Sequence, residues 1–240
     1  MSTATTIDSD TFRNRKPQIF SALAVAKDGD TSDFANAIPI SAGAGAPSHT
    51  GVVGELYIRT DSSATVPALY RATTTALWEP VGGYSAAITA ASTAVTNTAS
   101  ETDFDQTIVL PAGLLTQGST LKIRAQGIAT ATHTTDTLTV KLYVGSTAIV
   151  TTPAVDVADG DIFYFDFEIT ARAAAGAAAA CVGAGTGGLG TIGTLTAKPT
   201  ILASTNFATN AAITIKVSAT WSAADAGNSC RLDVLTAKVV

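Results

Sequence analysis

The side chains that could do metal or redox chemistry are few in this sequence and stand far apart. The two histidines, His49 and His133, have no cysteine or second histidine at metal-ligand spacing, which disfavours a zinc site. Cys181 and Cys230 are also widely separated, and we interpret them as buried free thiols. The sequence therefore predicts no metal centre and no bound cofactor.

Paired carboxylates are the next candidates, because two acids can bind calcium or carry out glycoside hydrolysis. Three pairs occur: Asp103/Asp105, Asp159/Asp161 and Asp166/Glu168. The third pair shares the polar face of a predicted strand, where charge serves solubility. The second flanks Gly160 and has the composition of a turn first and of a calcium ligand second.

The sequence gives little support for a catalytic nucleophile or for a phosphate-binding loop. A Ser/His/Asp triad assembles across a fold, and no GxSxG nucleophile elbow accompanies one here. The run GAGTGGLG at 183–190 lacks GK[ST] and opens no helix, so it does not match a phosphate-binding loop. We therefore expect a protein that is not an enzyme.

The composition of the chain limits the classes of partner that we expect. The net charge is −5 and charged residues make up 14%, with no basic cluster of the kind that neutralises nucleic-acid phosphates. The most apolar stretch with little charge, Ala173–Leu189, is mostly Ala and Gly, whereas a membrane span needs about 20 strongly apolar residues. The N-terminus lacks the apolar core of a secretory signal. We expect neither nucleic acid nor membrane as a partner, and assembly in a cytoplasm.

Strict alternation of apolar and polar residues is the strongest structural signal. In Asp161–Arg172 the side chains of Phe163, Phe165, Phe167 and Ile169 fall on one face, which is the period of a half-buried strand. We predict strands near 104–110, 119–129, 137–144, 147–151, 161–172, 176–183, 190–203, 211–222 and 228–239. Turns are predicted between them, one at Gly187-Gly188. Strands at this spacing suit a sandwich or jelly roll.

The chain divides into four zones. Residues 1–46 are polar and irregular and are predicted to form an extended arm that lies against a partner; 16–27 within them could be a strand or a short helix. Residues 47–83 form a small three-stranded meander, 84–99 a linker, and 100–240 the main domain. The predicted fold class is all-β: an N-terminal extended arm, a small β-meander, then a C-terminal antiparallel β-sandwich or jelly roll.

Two stretches carry a resemblance to structural proteins of tailed-bacteriophage virions. Gly54-Glu55-Leu56-Tyr57-Ile58-Arg59-Thr60-Asp61, followed by Leu69-Tyr70-Arg71 and Leu77-Trp78-Glu79-Pro80-Val81, resembles a module of phage tail, fibre and capsid accessory proteins. Ile108–Val150 and the C-terminal TWSAADAGNSCRLDVLTAKVV are similar to a β-domain of virion proteins. The resemblance as a whole extends over most of residues 50–240, and it implies a virion component.

The order of arm, meander and β-domain leads to one main hypothesis. The chain would be a capsid decoration (cement) protein, a homotrimer on the virion surface, gripping the major capsid protein of the same virus through arm and meander. The residues predicted to make that contact are Phe12, Arg13, Arg15, Ile19, Phe20, Leu56, Tyr57, Tyr70 and Trp78.

Two alternatives remain open. One is a phage tail, fibre or baseplate component, where the Leu56–Val81 module is also common; the absence of a long repetitive shaft counts against it. The other is a carbohydrate-binding jelly-roll module, with exposed Tyr164 or Trp78 as the sugar platform.

Overall fold

A computed structural model describes residues 23–25, 38–45, 47–60, 69–72, 75, 78–81, 83–133, 135–191, 195 and 198–240 of the chain. The described residues form strands and no helix, so the predicted all-β class is confirmed. Of the predicted contact residues, Phe12, Arg13, Arg15, Ile19 and Phe20 lie outside the described residues.

The first five strands make a small sheet in chain order: β1 (Leu23–Val25), β2 (Ile38–Gly43), β3 (Leu56–Arg59), β4 (Leu69–Ala72) and β5 (Trp78–Pro80). The pairing of β3, β4 and β5 is antiparallel, as a meander requires. β2 pairs with β3 in parallel, and β1 with β2 antiparallel. Two strands from the segment predicted as an arm therefore extend the meander.

The remaining strands build the large domain. They are β6 (Tyr84–Ala87), β7 (Val95–Thr96), β8 (Thr102–Asp103), β9 (Ile108–Leu110), β10 (Thr120–Thr130), β11 (Thr137–Val144), β12 (Thr147–Thr151), β13 (Val155–Asp156), β14 (Asp161–Ala171), β15 (Ala179–Gly190), β16 (Lys198–Phe207), β17 (Ile213–Trp221) and β18 (Ser229–Val239). Both β6 and β7 pair with β18, although their segment was expected to be a linker.

These strands form two sheets that face each other across one core. The front sheet has the order β16-β15-β14-β10-β18-β6, and the back sheet has the order β12-β11-β17-β8. Pairing of β10 with β18 and of β11 with β17 nests distant strands in the manner of a Greek key. The inward side chains of both sheets belong to a single buried cluster, so the predicted antiparallel sandwich is confirmed.

The central strand β14 shows the predicted alternation of buried and exposed side chains. Phe163, Phe165 and Phe167 are fully buried, whereas Asp166 and Glu168 point to solvent. The neighbouring strand β15 pairs with β14 from Cys181 to Gly190.

The glycine run on β15 departs from the sequence prediction, which placed a turn at Gly187-Gly188. In the structure β15 continues as a strand through these glycines. Because glycine has no side chain, the phenylalanine rings of β14 can occupy the space beside the β15 backbone. A Cβ on Gly185 would lie 2.4 Å from Phe167 Cδ2, and one on Gly187 would lie 2.6 Å from Phe165 Cδ1. The glycines mark a close approach of strand and rings, not a turn.

Replacing Gly185 by alanine tests this packing. The added methyl meets Phe167 and also the Asp166 carbonyl oxygen, 2.3 Å away, so we expect the free energy of unfolding to fall by about 1–3 kcal/mol. Chemical denaturation measures it. Ala184→Val, on the exposed face of the same strand, is the matched control and should change stability little. Equal effects of the two substitutions would contradict the packing argument.

Candidate binding surface

The inner face of the small sheet holds an aromatic cluster. Tyr57, Tyr70 and Trp78 are buried, with exposed fractions of 6%, 3% and 8%. The Tyr57 ring meets Tyr70 at 6.4 Å and Trp78 at 5.9 Å between centroids, both edge to face. The expectation that Trp78 is exposed is therefore wrong for the described structure, and the three rings stabilise the sheet from within.

Below that cluster, Glu55 ties three segments together, and we call this group the Glu55 clasp. Its Oε1 accepts from Ser41 Oγ at 2.6 Å and lies 2.8 Å from His49 Nε2. Its Oε2 accepts from the Val52 N–H at 2.9 Å. Because Ser41 lies on β2 and Glu55 immediately precedes β3, the clasp fixes the parallel pair on which the sheet depends.

Burial and hydrogen bonding shift the pKa of the Glu55 carboxyl group in opposite directions. Burial alone would raise the pKa of Glu55, but the hydrogen bonds from Ser41, His49 and the Val52 N–H outweigh it and lower the pKa. Glu55 therefore stays ionised although it is only 5% exposed. A buried charge with this many donors holds its surroundings in one arrangement.

Serine, histidine and glutamate side by side invite comparison with a catalytic triad, but the geometry differs. In a triad the hydroxyl is bonded to the imidazole, and the acid bonds the other ring nitrogen. Here Ser41 and His49 Nε2 both contact the same oxygen of Glu55, and the Ser41–His49 distance is 3.5 Å. The serine hydroxyl therefore donates to the carboxylate instead of to the imidazole, which is not the order of groups in a triad.

The outer face of the small sheet carries mainly aliphatic side chains, with Arg71 beside them. Register places Ile58 opposite Leu69 and Ala42, and Leu56 between Ile40 and exposed Arg71. Ile58 is 47% exposed, and the other aliphatic side chains of this set are half-buried, apart from exposed Ala42. We call Ile40, Ala42, Leu56, Ile58 and Leu69 the aliphatic face.

Further exposed aliphatic side chains lie in the turns around the same sheet. Val52 and Val53 precede β3 and are 57% and 64% exposed, and Val81 follows β5 and is 45% exposed. A sheet whose inner face is already filled with rings does not need apolar residues outside for its own core. Apolar surface in this position is typical of a contact with another molecule.

Of the predicted contact residues that the structure describes, Leu56 alone belongs to this surface. Tyr57, Tyr70 and Trp78 lie on the opposite face of the sheet, where they stabilise it. Sequence reasoning missed Ile58, Leu69, Val52 and Val53. The signal was present: in Leu-Tyr-Ile the apolar residues occupy both faces of one strand, which demands cover on both sides.

A second polar network lies on the outer surface of the back sheet. Glu101 accepts from Lys141 Nζ and Tyr143 OH at 2.6 Å each, and from Ser218 Oγ at 2.7 Å. These bonds lower the pKa of Glu101 to about 2. Beside it, Lys216 bonds Asp103 at 2.6 Å. Since β8 has only two residues, the network anchors it to β11 and β17.

The cysteines, His133 and Tyr164, which the sequence analysis considered as candidates, lie in ordinary structural surroundings. Cys181 and Cys230 are buried free thiols, as predicted, and burial raises the pKa of each. His133 lies 3.2 Å from Asp225 in an exposed pair. Tyr164 is half-buried on the outer face of the front sheet. In the described part of the chain, no group of three or more His, Cys, Asp or Glu side chains could hold a metal.

Within the described ranges, no helix of the chain is long and apolar enough to span a bilayer.

Comparison with known proteins adds little to this description. No protein-family model matches the chain, and no curated protein matches it significantly. One solved structure that overlays on it is described as the structure of infectious bursal disease virus, Gt strain. That overlay has 15% identity and a TM-score of 0.31, and covers 75% of this chain but only 40% of the other. So low a score supports no argument about function.

Neutralising the Glu55 clasp should loosen the small sheet. Glu55→Gln removes the charge that three donors share, and we expect a local loss of about 1–3 kcal/mol. Hydrogen exchange in peptides from 51–60 and 69–72 should speed up, with the sandwich unchanged. Glu168→Gln, at an exposed ion pair with Lys122, is the control. Unchanged exchange in Glu55→Gln would contradict the role of the clasp.

The Glu101 network predicts a pH dependence. A folded pKa of about 2, below the ordinary 4.5, stabilises the fold above pH 4.5, and this contribution is lost as pH falls through the folded value. Because the side chain is 36% exposed, solvent screening leaves about 1 kcal/mol. Urea unfolding should show Glu101→Gln less stable near neutrality, with the deficit shrinking in acid. A deficit that stays constant with pH would refute the assignment.

Proposed function

We propose that this chain is a non-enzymatic structural protein of a tailed-phage particle, and specifically a decoration protein on the outer surface of the capsid. The observation that carries the proposal is the aliphatic face, an apolar surface on a sheet whose core is complete without it. The resemblance of Gly54–Asp61 and Ile108–Val150 to virion proteins supplies the class of particle.

The small sheet is the element that would grip the shell. Its aromatic cluster and the Glu55 clasp hold β2, β3 and β4 in place, so the aliphatic face is preorganised and little ordering entropy is lost on contact. The partner is the major capsid protein of the same virus, offering a complementary apolar patch. The arm would extend that contact, and three copies would associate on the virion surface.

Two features support a role without catalysis. The Ser41 hydroxyl donates to the Glu55 carboxylate that joins β2 to the start of β3, which is not the order of groups in a catalytic triad. Glu101 is saturated by donors from the protein itself and anchors a short strand. Both groups are engaged in holding the fold.

A tail, fibre or baseplate position is the second candidate, because the Leu56–Val81 module that carries the aliphatic face is shared with such proteins. The same surface would then dock on a different neighbour in the particle. The two positions differ in the number of copies per particle.

A charge on the aliphatic face should abolish binding to capsids. We expect Ile58→Asp to reduce co-sedimentation of the full chain with shells stripped of it by at least tenfold, since burying an unpaired carboxylate at an apolar contact is costly. Ile201→Asp is the matched control, because Ile201 is 81% exposed but lies on β16 of the sandwich.

Thermal unfolding of both variants establishes that they are folded. A folded Ile58→Asp protein that still binds shells as the unmodified chain does would remove the small sheet from the interface. Equal loss in both variants would mean that the effect is not specific to the aliphatic face.

A further inference from the structure

A cavity of about 340 Å³ lies where β13 and the start of β14 meet the end of β15. We call it the glycine-lined cavity. The described residues that line it are Pro153, Val155, Asp156, Asp161, Gly187, Gly188, Leu189, Gly190, Thr191, Leu195 and Lys198. It lies apart from the small sheet and from the Glu101 network.

One wall of this cavity holds a carboxylate that its own chain does not satisfy. Asp161 is only 2% exposed. Its Oδ2 accepts from the Ala158 N–H at 2.8 Å, whereas Oδ1 has no hydrogen-bond partner in the described part of the chain. Leaving a buried carboxylate oxygen without a partner is costly, so the position demands a donor or a cation from outside.

The rest of the lining shows which kind of ligand fits. Asp156 adds a second carboxylate, and Lys198 contributes one positive charge, which leaves the wall with a net negative charge. None of the described lining residues is aromatic, histidine or cysteine, so the wall has neither a stacking platform for a sugar nor a soft ligand for zinc or copper. Carboxylate oxygens suit a hard cation.

The end of β15 provides that main chain. The ladder between β15 and β16 ends at Gly187 and Lys198, whereas β14 still pairs with Gly188 to Gly190 along the other edge of β15. These residues line the cavity, and the carbonyl groups among them that point away from β14 are the ones a ligand could reach. Glycine has no side chain to shield its carbonyl oxygen, and an ion can approach closely.

We propose that the glycine-lined cavity binds a calcium ion. Asp161 Oδ1 and the Asp156 carboxylate are the charged ligands, carbonyl oxygens of 188–190 complete the protein's part, and water fills the remainder. Calcium accepts six to eight oxygens in irregular geometry, whereas magnesium requires a near-ideal octahedron. Two carboxylates predict weak binding, with a dissociation constant of about 10⁻⁴–10⁻³ M, as in extracellular modules.

Binding would join the β13–β14 corner to the end of β15 and so stabilise the sandwich. The test is isothermal titration of the full chain with CaCl₂, together with thermal unfolding in CaCl₂ or in EDTA. We expect calcium to raise the unfolding midpoint of the unmodified chain, and Asp161→Asn to lose at least tenfold in affinity and most of that shift. The asparagine still offers an oxygen to the Ala158 N–H.

Asp159→Asn is the matched control, since Asp159 lies exposed in the same turn and does not line the cavity. If Asp161→Asn does not fold, Asp156→Asn serves in its place, with terbium luminescence as a second readout. Loss in the cavity variants with binding retained in Asp159→Asn supports the site. No binding up to about 10 mM calcium, or equal loss in Asp159→Asn, overturns it.

Discussion

The contact between the phenylalanine rings of β14 and the glycines of β15 is the constraint on which the sandwich depends. Phe165 and Phe167 lie over Gly187 and Gly185, where even one methyl group would collide. Glycine is unfavourable in a strand by about 0.5–1 kcal/mol relative to alanine. That cost is offset because large rings are buried against backbone in a chain with only 6% aromatic residues.

The same principle operates on the other side of β14. A Cβ on Gly127 would lie 2.4 Å from the Phe163 ring and 2.1 Å from the Arg231 carbonyl oxygen, and the ladder between β10 and β18 shifts register at this point. Phe163 in turn stacks on Phe104, with 6.0 Å between ring centroids. Each of the three phenylalanine rings of β14 thus packs against a glycine of a neighbouring strand.

The small sheet follows a different rule. Its aromatic cluster is separate from the main core, and a buried carboxylate fixes its parallel pair. Among the described residues, its inner face holds the buried rings, and its outer face carries the aliphatic face beside Arg71. That division assigns stability to the inner rings and leaves the aliphatic face available for recognition.

Periodicity predicted the sandwich well, because alternation such as that of Phe163, Phe165 and Phe167 has one structural meaning. It failed at Gly183–Gly190, since glycine marks both turns and close packing, and only the partner strand distinguishes them. The resemblance pointed to the segment that carries the aliphatic face, but three of the side chains it singled out, Tyr57, Tyr70 and Trp78, are buried. Large rings are conspicuous in a sequence, whereas burial is decided by the face of the strand on which each ring falls.

The most direct test of the proposed function is the number of copies of this chain per purified particle, measured against the major capsid protein by quantitative mass spectrometry. A decoration protein covers the shell, so the account predicts a copy number comparable with that of the capsid protein. A handful of copies per particle would contradict decoration and place the chain at the tail or fibre. Absence from the particle would contradict a structural role in the virion altogether.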